Sequence, residues 1–237
     1  MFRRISILLL LFLPGLCLMA QKSFVPTTHV GVHGGVDFST MSFRPQLKQE
    51  FLPGKEFGIF FRHVSEPHIG LQLEINVADK GWKEVIDSVG TYTRKLYTID
   101  VPVLASFIAG SKTVRFVFTI GPYLSYRRND TEVLKLIEKQ DYTALTNRTI
   151  RYNSEIIYVT ETPFRRQHYY RSLASDWAFG FTGGISAEIY TKIGGFALKA
   201  SYSHALTNLY PLNKGPYYFA ASRMMVIYGG IGYFVSF

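Results

Sequence analysis

Cysteine is almost missing from this chain of 237 residues: there is one, Cys17. That excludes a disulfide scaffold and a cysteine-based zinc module. Charge is scarce too, at 18% of residues against 16% aromatic, which excludes a disordered composition. The sequence lacks HExxH, CxxC and EF-hand patterns and has no phosphate-cradling glycine loop. It therefore predicts no metal, no cofactor and no catalytic residue set. Past residue 20 there is no run of 18 consecutive apolar residues, so helical membrane spans are excluded. Membrane crossing by strands is not, because a β-barrel crosses with segments of about ten residues that alternate in polarity.

Acids are the scarcer charge, 17 against 26 bases, for a net charge of +9. Such a balance suits anionic lipid or nucleic acid. The N-terminus decides between them. Arg3 and Arg4 precede an apolar stretch, residues 5–19, broken by Pro14 and Gly15 and followed by the small residue Ala20. This is the plan of a secretory signal peptide, and the stretch is too short and broken to span a bilayer as a helix. The expected organisation is a signal peptide over residues 1–20 and one domain over residues 21–237. Leu16, bulky where a lipobox has a small residue, argues against lipidation of Cys17. An exported chain is not expected to meet nucleic acid.

Eight segments alternate with period two, the signature of strands with one polar and one apolar face. Val30, Val32, Val36 and Phe38 oppose Gly31, His33, Gly35, Asp37 and Ser39. Ile69, Leu71, Leu73, Ile75 and Val77 oppose Gly70, Gln72, Glu74, Asn76 and Ala78. Phe116, Phe118, Ile120 and Leu124 oppose Arg115, Thr119, Tyr123 and Ser125. The pattern recurs around residues 57–62, 97–107, 179–189, 196–203 and 225–237. The connections near residues 65–67, 110–112 and 191–194 are tight, whereas those at 41–55, 81–91, 128–175 and 208–221 are long. Short and long connections alternate, as in outer-membrane barrels with short periplasmic turns and long extracellular loops. The fold expected is all-β: an eight-stranded antiparallel transmembrane β-barrel with both termini in the periplasm, located in the cell outer membrane.

In that fold the apolar face meets acyl chains and the polar face fills a lumen just wide enough for side chains. Four acids, Asp37, Glu74, Asp100 and Glu188, share the inward parity with four bases, Arg62, Lys80, Arg115 and Lys199. They are expected to pair as a structural lumen network, since an isolated buried charge is costly. Within the long connection 128–175, Asp130 suggests a helix cap over residues 131–140, and residues 156–159 suggest a strand.

The segments VGVHGGVDFST (30–40), LQLEINVADKGW (71–82), TIDVPVLASF (98–107), FTIGPYLSY (118–126), GFTGGISAEIY (180–190) and KASYSHALTN (199–208), with the closing strand MVIYGGIGYFVSF (225–237), resemble the PorT-like outer-membrane β-barrel family. The resemblance covers nearly all of the chain past the leader except residues 128–175. It implies a Gram-negative outer membrane, a part in type IX protein secretion, and secretion-system proteins as partners. Phe237, a terminal aromatic residue, looks like the signal read by the barrel-assembly machinery. The resemblance carries no catalytic motif.

A hydrolytic reading from the residues themselves fails on geometry. Ser203 and His204 are neighbours in a strand and point to opposite faces; His33 and Asp37 share a face but stand ~13 Å apart along it. Arg127-Arg128 and Arg165-Arg166 could reach lipopolysaccharide phosphates, though a solvated loop of mixed charge is the simpler expectation. Two functions are thus carried forward: a non-enzymatic structural or accessory barrel serving protein secretion, and a barrel that binds a surface or small-molecule ligand through residues 128–175.

Overall fold

The computed structural model describes residues 24–86, 90–136, 149–152, 155–158, 173–211 and 219–237. The leader and the end of the expected helix, residues 137–140, lie outside the described residues, as does Val159. Eight long strands form the wall: β1 Thr27–Arg44, β2 Leu52–Glu66, β3 Ile69–Ile86, β4 Gly90–Gly110, β5 Val114–Leu136, β6 Trp177–Thr191, β7 Gly194–Ala205 and β8 Ala221–Ser236. Each pairs antiparallel with its neighbour in sequence, and β8 returns to β1 from His29↔Ser236 to Arg44↔Ala221. The fold is a closed eight-stranded antiparallel barrel. The seam is tied at the chain ends, where the Thr28 and Phe237 backbones exchange bonds of 3.0 and 2.9 Å. Around the full ring each of the eight strands has a partner on both sides.

Both termini share one end with the three tight turns. There Gly110 and Gly194 take φ of +128° and +136°, values that other residues rarely adopt. The opposite end carries the long connections. Along β5 the outward residues from Val114 to Tyr126 cover ~40 Å of strand, or ~30 Å along the barrel axis at a tilt of ~40°.

The strands outrun the alternation that announced them, and three of the expected loops shrink accordingly. β1 continues to Arg44, and Gln49–Glu50 pairs with Glu84 and Lys83. The expected loop at residues 81–91 is mostly hairpin: β3 and β4 pair out to Ile86↔Gly90. Residues 131–136 are strand, not helix, because β4 supplies a backbone partner for each of them, from Lys95↔Thr131 to Gly90↔Leu136. A bulge precedes them. Tyr97 faces Asn129 and Thr98 faces Arg127, so Arg128 is the extra residue and the inward parity of β5 changes there. Asp130 consequently turns inward to Arg94 instead of capping a helix. Glu155–Tyr158 is a strand, as expected, and pairs with Thr149–Tyr152 in a separate hairpin.

Candidate functional site: a filled lumen beneath an aromatic lid

The two faces of the wall differ as the alternation predicts. Outward positions carry Val32, Phe57, Ile59, Leu71, Val77, Phe116, Phe118, Phe181, Ile185 and Leu198, each about half exposed or more. Between Val30 and Phe38, Phe57 and Phe61, Ile69 and Val77, and Phe116 and Leu124, no outward residue is Asp, Glu, Lys or Arg. An uncharged apolar girdle of this height is far larger than the few hundred Å² a soluble monomer exposes. Tyr97, Tyr126 and Trp177 stand at its upper rim, with the Tyr126 and Trp177 rings 4.8 Å apart.

The inward face holds one connected polar network through the middle of the barrel. Arg62 donates from Nη1 to both Glu188 carboxylate oxygens, at 2.8 and 3.0 Å, and from Nε to Gln72 at 2.5 Å. The Gln72 amide donates to Glu74, which also accepts from Lys199 at 2.6 Å and from Asn76 at 3.0 Å. His33 bridges Asn76 Oδ1 at 3.1 Å and the Tyr228 hydroxyl at 3.0 Å. Ser186 and Tyr190 complete the shell around Glu188. Six strands, β1, β2, β3, β6, β7 and β8, are thereby cross-linked through side chains. One level higher, Lys80 donates to Asp100, joining β3 to β4.

Of the eight charges the sequence singles out, six form ion pairs: Arg62 with Glu188, Lys199 with Glu74, and Lys80 with Asp100. Two do not. Arg115 is only half-buried at the turn end, where its guanidinium lies 4.6 Å from the centre of the Tyr190 ring. Asp37 is wholly buried, yet neither carboxylate oxygen has a hydrogen-bond partner among the described residues. It lies against Gly54, opposite it on β2, where a Cβ would fall 2.4 Å from its Oδ1. The neutral connectors Gln72, Asn76, His33, Tyr190 and Tyr228 join these charges. Their inward parity was visible, but not the reach of each side chain across the lumen.

The interior leaves little space. Its cavities hold about 30 Å³ beside Glu56, Lys80 and Tyr123, about 20 Å³ beside Arg62 and Glu188, and about 50 Å³ beneath Leu96 and Met224. Each is of the order of one or two water molecules. Above them the lumen is closed by apolar side chains. Met41, Phe43, Trp82, Tyr92 and Leu96 from the wall and Leu47 from the connection between β1 and β2 meet Tyr210 and Phe219 from the connection between β7 and β8. Phe43 and Phe219 centre 4.5 Å apart, and Trp82 stands edge-on to Tyr210 at 6.1 Å. Burial pushes the Tyr210 hydroxyl up to about 12, against an opposing pull from Arg94, which donates to it at 3.2 Å. Arg94 also holds Asp130 at 2.5 Å and Glu132 at 3.0 Å.

No nucleophile–base pair is assembled by the candidates. Ser203 faces the lumen and donates to Thr182 at 2.9 Å, whereas His204 is on the opposite face. Among the described residues no three His, Cys, Asp or Glu side chains converge as metal ligands.

Residues 19–210 match the family model described as an outer membrane protein beta-barrel domain. No curated protein sequence matches the chain. Among solved structures it is similar to the attachment invasion locus protein Ail of Yersinia pestis, at 9% identity over 88% of this chain and 98% of that one with a TM-score of 0.42. It is likewise similar to OprG from Pseudomonas aeruginosa, at 12% identity over 90% and 95% with a TM-score of 0.44. Neisserial surface protein A is a third, at 10% identity over 87% and 96% with a TM-score of 0.42. By the family match, which takes in most of its length, this chain belongs to the outer membrane protein beta-barrel domain family and is a protein of the cell outer membrane.

Proposed function

We propose that the protein is a non-enzymatic structural or accessory component of the outer membrane, PorT-like, that serves protein secretion through its outer surfaces and loops. The observation that carries the non-transport, non-catalytic part is the filled lumen. Among the described residues a continuous hydrogen-bonded network and water-sized cavities fill the lumen, which supports a barrel without a solute path or an internal substrate site. The charge pairs Arg62–Glu188, Lys199–Glu74 and Lys80–Asp100 then act as internal bracing. The type IX secretion role rests on the sequence resemblance, and so do secretion-system partners. Export by residues 1–20, a barrel domain over residues 21–237, and recognition of Phe237 by the barrel-assembly machinery belong to the same proposal.

The test is deletion of the gene combined with cross-linked pull-down of the intact protein. Loss of outer-membrane export of secreted cargo, with secretion components captured, is the expected result. A second reading, ligand binding through residues 128–175, is supported by the extension of β4 and β5 beyond the girdle, as far as Gly90 and Leu136. Unimpaired export, with surface adhesion lost on removing residues 137–172, would select it instead.

A further inference from the structure

The outward face changes character just above the aromatic rim. On three consecutive strands it presents Lys83 (β3), Lys95 (β4) and Arg128 (β5). Lys83 lies opposite Thr93, and Lys95 lies opposite Gly81 on one side and Thr131 on the other. Diagonal positions of this kind are ~7–8 Å apart, within reach of long side chains. Arg128 is the bulge residue beside the Tyr97–Asn129 pair. It keeps the outward parity of Leu124 and Tyr126, while Arg127 before it turns in to Asp130 and Asp176; the bulge changes the parity beyond it, so that Asp130 turns in to Arg94 and leaves Arg128 without an acid beside it. Lys95 and Arg128 are exposed and have no ion-pair partner among the described residues. The acids on this face are Glu50, which holds Lys83 at 2.6 Å, and half-buried Asp79, opposite Tyr97. Exposed Lys55 and Lys135 flank the group. Bases thus outnumber acids on the patch.

Height and leaflet narrow the occupant. Lys95 stands two residues above Tyr97, and Arg128 two above Tyr126, ~6–7 Å past the rim at the usual rise per residue. That level is where acyl chains end and headgroups begin. The patch is at the end opposite the termini, which for an outer-membrane barrel is the outer leaflet. We infer that Lys95 and Arg128, with Lys83 beside them, form a headgroup site for the phosphorylated glycolipid of the outer leaflet. The Arg128 guanidinium suits bidentate contact with one phosphate, and the lysines add compact charge. The inference depends on the outer-membrane placement and not on the secretion role, so an export phenotype neither supports nor weakens it.

The test uses the full-length barrel in detergent, its fold checked by heat-modifiable gel mobility, with lipid retention read by native mass spectrometry. Bisphosphorylated lipid A should bind the wild type, and K95A/R128A should bind it about tenfold more weakly or worse. The charge-preserving Lys95→Arg should keep it, and so should Lys192→Ala at the opposite end. Dephosphorylated lipid A should bind the wild type as weakly as the double variant binds the phosphorylated form. Equal retention by the folded double variant overturns the inference. So does equal retention of dephosphorylated lipid A, and so does full competition by millimolar inorganic phosphate, which would mean a simple anion site.

Discussion

The girdle and the part of the wall above it obey opposite rules. Between Phe118 and Ser125, Phe118, Ile120 and Leu124 look out and Thr119 and Ser125 look in, toward an ionic interior. A few residues further along the same sheet, Trp82, Tyr92 and Leu96 look in and Lys83, Thr93 and Lys95 look out. The lower region is solvated by acyl chains, which offer no hydrogen-bond partners, so polar groups gather inside and satisfy one another. The upper region stands in water, so the hydrophobic effect acts in its ordinary direction and gathers aromatic rings inside. One sheet thus carries two solvents' worth of patterning, and the change falls at Tyr97, Tyr126 and Trp177.

The strongest way to break this contrast is to remove a charge from the lower interior. Glu188→Ala strips Arg62 of its bidentate partner and should destabilise the barrel by about 3–5 kcal/mol. A paired R62M/E188L variant should recover most of that loss. Denaturant unfolding from lipid bilayers reads both. If the interior were merely polar filling, the single and double variants would be alike. In the upper interior the matching experiment is Trp82→Ala, which empties the centre of the lid and should cost about 3–5 kcal/mol. That loss should appear without any change in the mobility shift that reports insertion.

The outward face gives a smaller and more selective pair. Phe118→Arg places a charge against acyl chains and should cost about 2–4 kcal/mol if it sits near the midplane. Thr93→Arg, outward on the same barrel but above the rim, should stay within about 0.5 kcal/mol. Equal costs would mean that the boundary is wrongly placed.

The same contrast explains what was legible in the sequence. The lower region could be read residue by residue, because apolar-out alternation in eight segments fixes strand number, register parity and the facing of Val30, Phe57, Leu71 and Phe118. The upper region could not. Its alternation in residues 82–96 has the inverse sense, with larger side chains at the inward positions, and it lacks the Val- and Ile-rich signature of the girdle. It therefore reads as loop. The bulge at Arg128 was invisible because an extra residue breaks period two, and the broken pattern at Asp130 imitates a helix cap. In the network, parity puts the eight charges on one face of the sheet, but pairing depends on reach across the lumen. Sequence carries no such distance, which is why unpaired Asp37 and peripheral Arg115 could not be told from the six that pair.

The mildest prediction concerns the lid alone and separates it from the wall below. Burial raises the Tyr210 hydroxyl to about 12, above its ordinary value near 10. In the unfolded chain the proton leaves first, so the folded state binds more protons between these two values. The stabilisation is therefore complete below about pH 10 and is lost as pH rises toward 12, by on the order of 2 kcal/mol at about 1.4 kcal/mol per unit. Tyr210→Phe removes this group, and its difference from wild type should shrink steadily across that window. The readout must be local, such as fluorescence of Trp82, whose ring stands edge-on to Tyr210, because a global signal would report the eight-stranded wall as well. A lid that opens with base while the barrel keeps its heat-modifiable mobility would mean that the aromatic cluster and the ionic network are separate cooperative units, each stabilised by its own solvent.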